Sequence, residues 1–196
     1  MRVKVIALSC FVLAVGCKSA TQRAPALSLE DAADVINKSQ AFTATSENRP
    51  LGLREPRAHV SMQAVYALGA KGYLDCTGAG QMIPTKAGVV FIQWPPPPTE
   101  PQTIGSCTPT NRFGFSDVTF SLNPCPRKLI AVTKVSSGAL SRAVDFTWTW
   151  DISGFPLDAR TVMFGPTGEY PTKTAEVTFT SSAGVWQAQF GPKWEE

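Results

Sequence analysis

The side chains in this 196-residue sequence whose types and spacing could do chemistry are few, and the most regular group lies in "AVDFTWTWD". There Asp145, Thr147, Thr149 and Asp151 occupy every second position. Two carboxylates on one strand face could share acid–base work, one giving a proton while the other takes one. The same alternation puts Val144, Phe146, Trp148 and Trp150 on the opposite side. A strand with one buried and one wet face requires that pattern, so the polar side of such a strand accounts for the acids without invoking a reaction. The rings of Phe146, Trp148, Trp150 and Trp186 could line a pocket for a glycan or a lipid, since such pockets are mostly apolar and aromatic. Core packing explains them more simply, given the area each ring must bury.

His59 is the sole histidine. A Cys–His nucleophile pair would need Cys76 or another thiol beside it, with an Asn or Asp to orient the ring. Neither residue is flanked by the local signatures of such enzymes, and a solvated or capping histidine is the simpler account. One histidine and no CxxC pair leave few soft ligands for a metal. "TGAG" at 77–80 lacks the GxxxxGK and GxGxxG spacings and reads as a hairpin turn. No catalytic residue, metal or cofactor is expected, and the chain is read as not an enzyme.

The elements that must position these residues change character along the chain. Ser28 and Asp31 have capping-box spacing, and Leu29, Ala32, Ala33 and Ile36 follow at i, i+3, i+4 and i+7, which predicts a helix over 29–38. "SENRPLGLREPR" reads as a connection. "VSMQAVYALGAKG" predicts a second helix over 61–71, closed by Gly72. "GYLDCTGAGQMIPTKAGVVFI" reads as two short strands around a glycine turn. Over about 35 residues this helix and hairpin look like the recognition helix and wing of a winged-helix domain, although that fold needs three packed helices. "QWPPPPTEPQTIGSC" is a stiff spacer, because four prolines fix φ and lack backbone donors; a ligand for a polyproline groove is the other reading. Beyond it the period falls to two: Val118, Phe120 and Leu122 alternate with Thr119 and Ser121, and Leu129–Val135 is β-rich. Val177 and Phe179, then "SSAG", then Trp186, Ala188 and Phe190 predict a terminal hairpin. The fold class is α+β: N-terminal helices with a β-hairpin, then a mainly antiparallel sheet. The expected boundaries are a lobe at 28–94, a spacer at 95–106 and a β lobe at 107–196, the two lobes standing apart or packing as one domain.

The first residues, "MRVKVIALSCFVLAVG", join Arg2 and Lys4 to an apolar run that suits an export signal and is shorter than the roughly 20 residues that cross a bilayer. Ala14-Val15-Gly16 then leads straight into Cys17. This resembles the lipobox of bacterial lipoproteins, with Ala14 where that family most often has leucine. The resemblance covers about 20 residues. It implies that 1–16 are removed, that the Cys17 thiol receives a diacylglyceryl group and that the new amino terminus is acylated. Residues 17–27, including "KSATQRAPA", would then be a lipidated tether. Several acyl chains give stable anchoring where one gives only reversible binding. Lys18 stands where an aspartate marks retention at the inner membrane in that family, so the resemblance points to the outer membrane.

Removing Arg2 and Lys4 from 18 basic residues leaves 16 against 15 acidic ones, too balanced for a nucleic-acid footprint. The expected partners are the membrane, through Cys17, and a second envelope component, protein or polymer. Once Cys10 leaves with the signal and Cys17 is lipidated, Cys76, Cys107 and Cys125 remain. An oxidising compartment allows them one intrachain disulfide. Cys107 and Cys125 both lie in proline-containing, turn-rich sequence around a predicted strand at 115–122, which favours a Cys107–Cys125 bridge, with Cys76 as a buried thiol; the other two pairings stay open. The functional expectation is a lipid-anchored envelope protein with a non-catalytic binding or structural role. The alternative is a small envelope hydrolase working through Asp145 or Asp151.

Overall fold

Ser28 opens the first helix as its spacing requires: its Oγ accepts from the Asp31 amide at 3.0 Å, and the Asp31 carboxylate accepts from the Ser28 amide at 3.3 Å. The Ser28 hydroxyl, which also donates to the Asp31 carboxylate at 2.6 Å, and then the Ser28 amide hold the Asp31 carboxyl below the usual carboxylate range. The computed structural model describes residues 25–44, 56–94, 105–108, 112–113, 118–191 and 194. The expected export signal, Cys17 and most of the proline-rich segment lie outside these residues.

Helix α1 (Leu29–Lys38) buries Ala32 and Ile36, and the short α2 (Gln40–Thr43), capped by Ser39, carries Phe42 into the core. Strand β1 (Arg57–Val60) follows, sharing only Arg57 with the stretch read as a connection. Helix α3 (Met62–Ala70) is capped by Ser61. It ends in a Schellman motif, with the Tyr73 amide on the Leu68 carbonyl and the Gly72 amide on the Gly69 carbonyl, both at 2.9 Å. Gly72 sits at φ +77°, a backbone conformation that glycine adopts without a Cβ penalty. Strands β2 (Leu74–Cys76) and β3 (Gln81–Pro84) form the expected hairpin, and β4 (Gly105–Thr108) and β5 (Arg112–Phe113) extend it into a four-stranded sheet. Strand β6 (Val118–Ser121) pairs with β1.

The second four-stranded sheet is an antiparallel meander of β7 (Arg127–Val135), β8 (Ser141–Trp150), β9 (Lys173–Ser182) and β10 (Val185–Gln189), with helix α4 (Leu157–Phe164) between β8 and β9. Helix α1 touches both edge strands, β7 and β10, so it lies across one face of the sheet. That face is the apolar one: Val144, Phe146, Trp148, Trp150, Val177 and Phe179 are all buried. Residues on the opposite face of β8 are half-buried, as the alternation requires. Helices at the N-terminal end and an antiparallel sheet in the C-terminal half make the protein α+β.

The segment 95–106, expected as a spacer, does not divide the strands into separate lobes. Gly105 and Ser106 belong to β4 and pair with Met82 and Gln81 of β3, β6 pairs with β1, and Ile92 bridges to Leu122. Helix α1, assigned to the first lobe, packs on the second lobe's sheet. A proline run removes donors only where the prolines stand. The chain on either side of it can still pair. Polar contacts tie the halves of the chain as well: the Tyr170 hydroxyl donates to the Arg57 carbonyl at 2.9 Å, and the Tyr73 hydroxyl donates to Asp158 at 2.7 Å.

Strands β9 and β10 are joined by Ala183 and Gly184, at φ +52° and +81°. Left-handed backbone at both central positions is the type I′ geometry that suits a right-twisted hairpin. Alanine carries a Cβ penalty there. Ala183→Gly is therefore expected to stabilise the protein by up to about 1 kcal/mol. A urea midpoint that stays put or falls would contradict this.

Candidate functional site

The cysteines are paired differently from the expectation. Cys76 is bonded to Cys107, with their Cα atoms 5.8 Å apart, and Cys125 is buried outside the bridge. The expected Cys107–Cys125 pairing is thus replaced. The cause is non-local: β4 runs beside the β2–β3 hairpin, and the Cys107 amide donates to the Gly80 carbonyl in the hairpin turn at 2.9 Å. This brings Cys107 to the end of β2 where Cys76 stands. The bridge also removes Cys76 as a nucleophile for His59. That histidine lies on β1, with Nδ1 3.2 Å from the Thr119 hydroxyl across the strand pair.

Asp145 and Asp151 are not brought together. Six residues of extended strand separate them by about 20 Å, whereas carboxylate pairs that share glycoside hydrolysis stand about 5 to 9.5 Å apart. Asp145 faces Lys134 and Glu176 in the strand register. Asp151 lies just past the end of β8, where its carboxylate accepts from the Ser153 amide at 3.1 Å. Bonding to Ser153 holds the Asp151 carboxyl below the usual range, helped by Lys128 and Arg160. A general acid needs the opposite shift. The threonines between them are engaged with backbone: the Thr149 hydroxyl donates to the Tyr170 carbonyl at 2.8 Å, and that of Thr147 to Ala131 at 3.4 Å.

Beside Asp151 a cleft of about 140 Å³ is lined by Lys128, Thr149, Arg160, Glu169 and Tyr170. Its charges are mixed, and Arg160 is positioned by donating to the Phe155 and Gly168 carbonyls. Burial pushes the Tyr170 phenol above its ordinary range. The arrangement can seat a small polar group, and the Asp151 carboxyl beside it is shifted away from the range of a proton donor.

The aromatic residues form core. Trp148 has no exposed surface, and its ring meets Trp150 and Trp194 at centroid distances of 5.3 Å. Trp194 also lies 4.9 Å from Phe190 and 5.8 Å from Phe42, closing the cluster. Arg127, a buried cation, is not among the candidates the sequence offers. Its guanidinium stacks 4.7 Å from the Trp150 ring and 5.2 Å from Trp194, and Nη1 donates to the Phe42 and Ala44 carbonyls, both at 3.0 Å. It thereby ties the end of α2 to the sheet. Registering β7 against β8 places Arg127 opposite Trp150, and that pairing is the signal that could have found it.

Two larger depressions are open to the surface. One, of about 450 Å³, lies between α3 and β2, with Tyr66, Leu74, Asp75 and Thr85 in its walls. The other, of about 600 Å³, lies at the β7–β8 turn, with Leu27, Ser136, Gly138 and Arg142. Among the described residues no group of three or more His, Cys, Asp or Glu could hold a metal ion, and no helix is long and apolar enough to cross a membrane. No family model, curated protein or solved structure matches the chain.

Proposed function

We propose that this protein is a lipid-anchored component of a bacterial envelope, held to the outer membrane through Cys17, with a non-catalytic binding or structural role toward another envelope protein or polymer. The observation that carries this reading is Cys17 directly after Ala14-Val15-Gly16, at the end of an apolar run too short to span a bilayer. The disulfide between Cys76 and Cys107 accords with an oxidising compartment. The hydrolase alternative has less support, because its two carboxylates lie far apart and the one beside a cleft is held ionised.

Cys17→Ser tests the reading. The variant is expected to lose acylation and either remain as uncleaved precursor or leave the membrane fraction. A serine variant that is processed and fractionates like the parent protein would overturn it.

A further inference from the structure

We infer that one end of the C-terminal sheet, the end bearing the β7–β8 and β9–β10 turns, rests on the lipid surface that holds the anchor. This inference rests on the lipid-anchor reading of Cys17. In an antiparallel meander those two turns fall at the same end, and here the Ser181 amide donates to the Leu140 carbonyl at 2.9 Å. Leu140 and Val185, one at each turn, are both 60% exposed. Both side chains keep most of their apolar surface in solvent. They have the character of apolar residues that enter the boundary between headgroups and acyl chains.

The chain reaches the domain at this same end. Trp186, next to Val185, donates its Nε1–H to the Pro25 carbonyl at 3.1 Å, and Leu29, 49% exposed, opens α1 four residues later. Cys17 precedes Pro25 by eight residues, so a lipid on its sulfur lies within about 28 Å of Pro25 even with the chain fully extended. The surface is therefore within reach of this end, and tether contraction brings it closer. Charge agrees with the geometry. Lys18 and Arg23 lie on the tether, and the Arg142 guanidinium stacks 5.1 Å from the Trp186 ring while its Nε donates to the Gly138 carbonyl. Cations among exposed apolar tips complement an anionic lipid surface.

The test uses the full protein purified from membranes and reconstituted in phosphatidylethanolamine–phosphatidylglycerol vesicles. An environment-sensitive fluorophore is placed at Leu140→Cys, at Val185→Cys and, for comparison, at Leu157→Cys on α4, which is also 60% exposed but lies at the other end of the sheet. All three sites are on the surface, so labelling spares the core. The labels at 140 and 185 are expected to brighten several-fold and to be quenched by lipid-borne nitroxide, and the label at 157 is not. Intact mass of the same samples reports acylation independently. Acylated protein whose 140 and 185 labels stay aqueous, or whose three labels respond alike, would overturn the inference and leave the anchor standing. Unacylated protein that ignores the vesicles would overturn both. Unacylated protein whose 140 and 185 labels still enter lipid would support the docking surface and overturn the anchor.

Discussion

Replacing Trp148 by alanine is expected to lower the free energy of unfolding by about 3 to 5 kcal/mol, the range for deleting a large buried aromatic side chain. Trp148 has no exposed surface and lies on the buried face of β8, in edge contact with Trp150 and tilted against Trp194. Deleting it removes packing from both rings at once. Phe42 and Phe146, themselves 6.1 Å apart, each pack against Trp194, so the disturbance reaches α2. The indole Nε1 has no hydrogen-bond partner among the described residues. Trp148→Phe, which removes that polar group and keeps a ring, is therefore expected to cost clearly less than Trp148→Ala. Thr147→Ala, on the opposite face of the same strand, is expected to cost under about 1 kcal/mol. Urea unfolding of the three variants checks the face assignment. Equal losses at 147 and 148 would contradict it.

Breaking the Cys76–Cys107 bridge is the second large effect. The two residues are 31 apart in sequence, and closing a loop of that length is worth about 3 to 4 kcal/mol on the chain-entropy account. Cys107→Ser is expected to lose about that much, and Cys76→Ser the same, because either change opens the same loop. The double variant should lose no more than a single one. Cys125→Ala leaves the Cys76–Cys107 loop closed and is therefore expected to keep the loop-closure contribution. Peptide mapping of unreduced protein reads the pairing directly: a crosslinked peptide joining residues 76 and 107 is expected, and one containing Cys125 would contradict the structure.

The parts of the fold legible in the sequence are those set by local chemistry. Ser28 and Asp31 announce α1, Ser61 and Gly72 bound α3, and the alternation in "AVDFTWTWD" gives β8 and its buried face. The β2–β3 and β9–β10 hairpins are legible because a short turn joins adjacent strands. What escapes depends on pairing across long separations. Strand β1 lies next to a proline- and glycine-containing stretch and gains its partner β6 some 60 residues away. Helix α4 starts at Pro156 with no side-chain cap and has only eight residues, so neither capping nor period marks it. In β7 the half-buried residues Leu129, Val132 and Val135 recur every third position, because register shifts between Leu129 and Ala131 and between Val132 and Lys134 each insert a residue. A period-two reading cannot reveal such bulges. The disulfide escapes for the same reason: sequence shows which cysteines border turns, but only the β3–β4 pairing brings Cys107 to Cys76. The acids of β8 are legible as a polar face, whereas the buried Arg127 can be recognised only once β7 is registered against Trp150.

The intact mass of the protein extracted from membranes tests the central claim most directly. The anchor reading predicts a chain that begins at Cys17, with a diacylglyceryl group on its sulfur and an acyl group on its new amino terminus. A mature chain beginning at any other residue, or one beginning at Cys17 with an unmodified thiol, would contradict it.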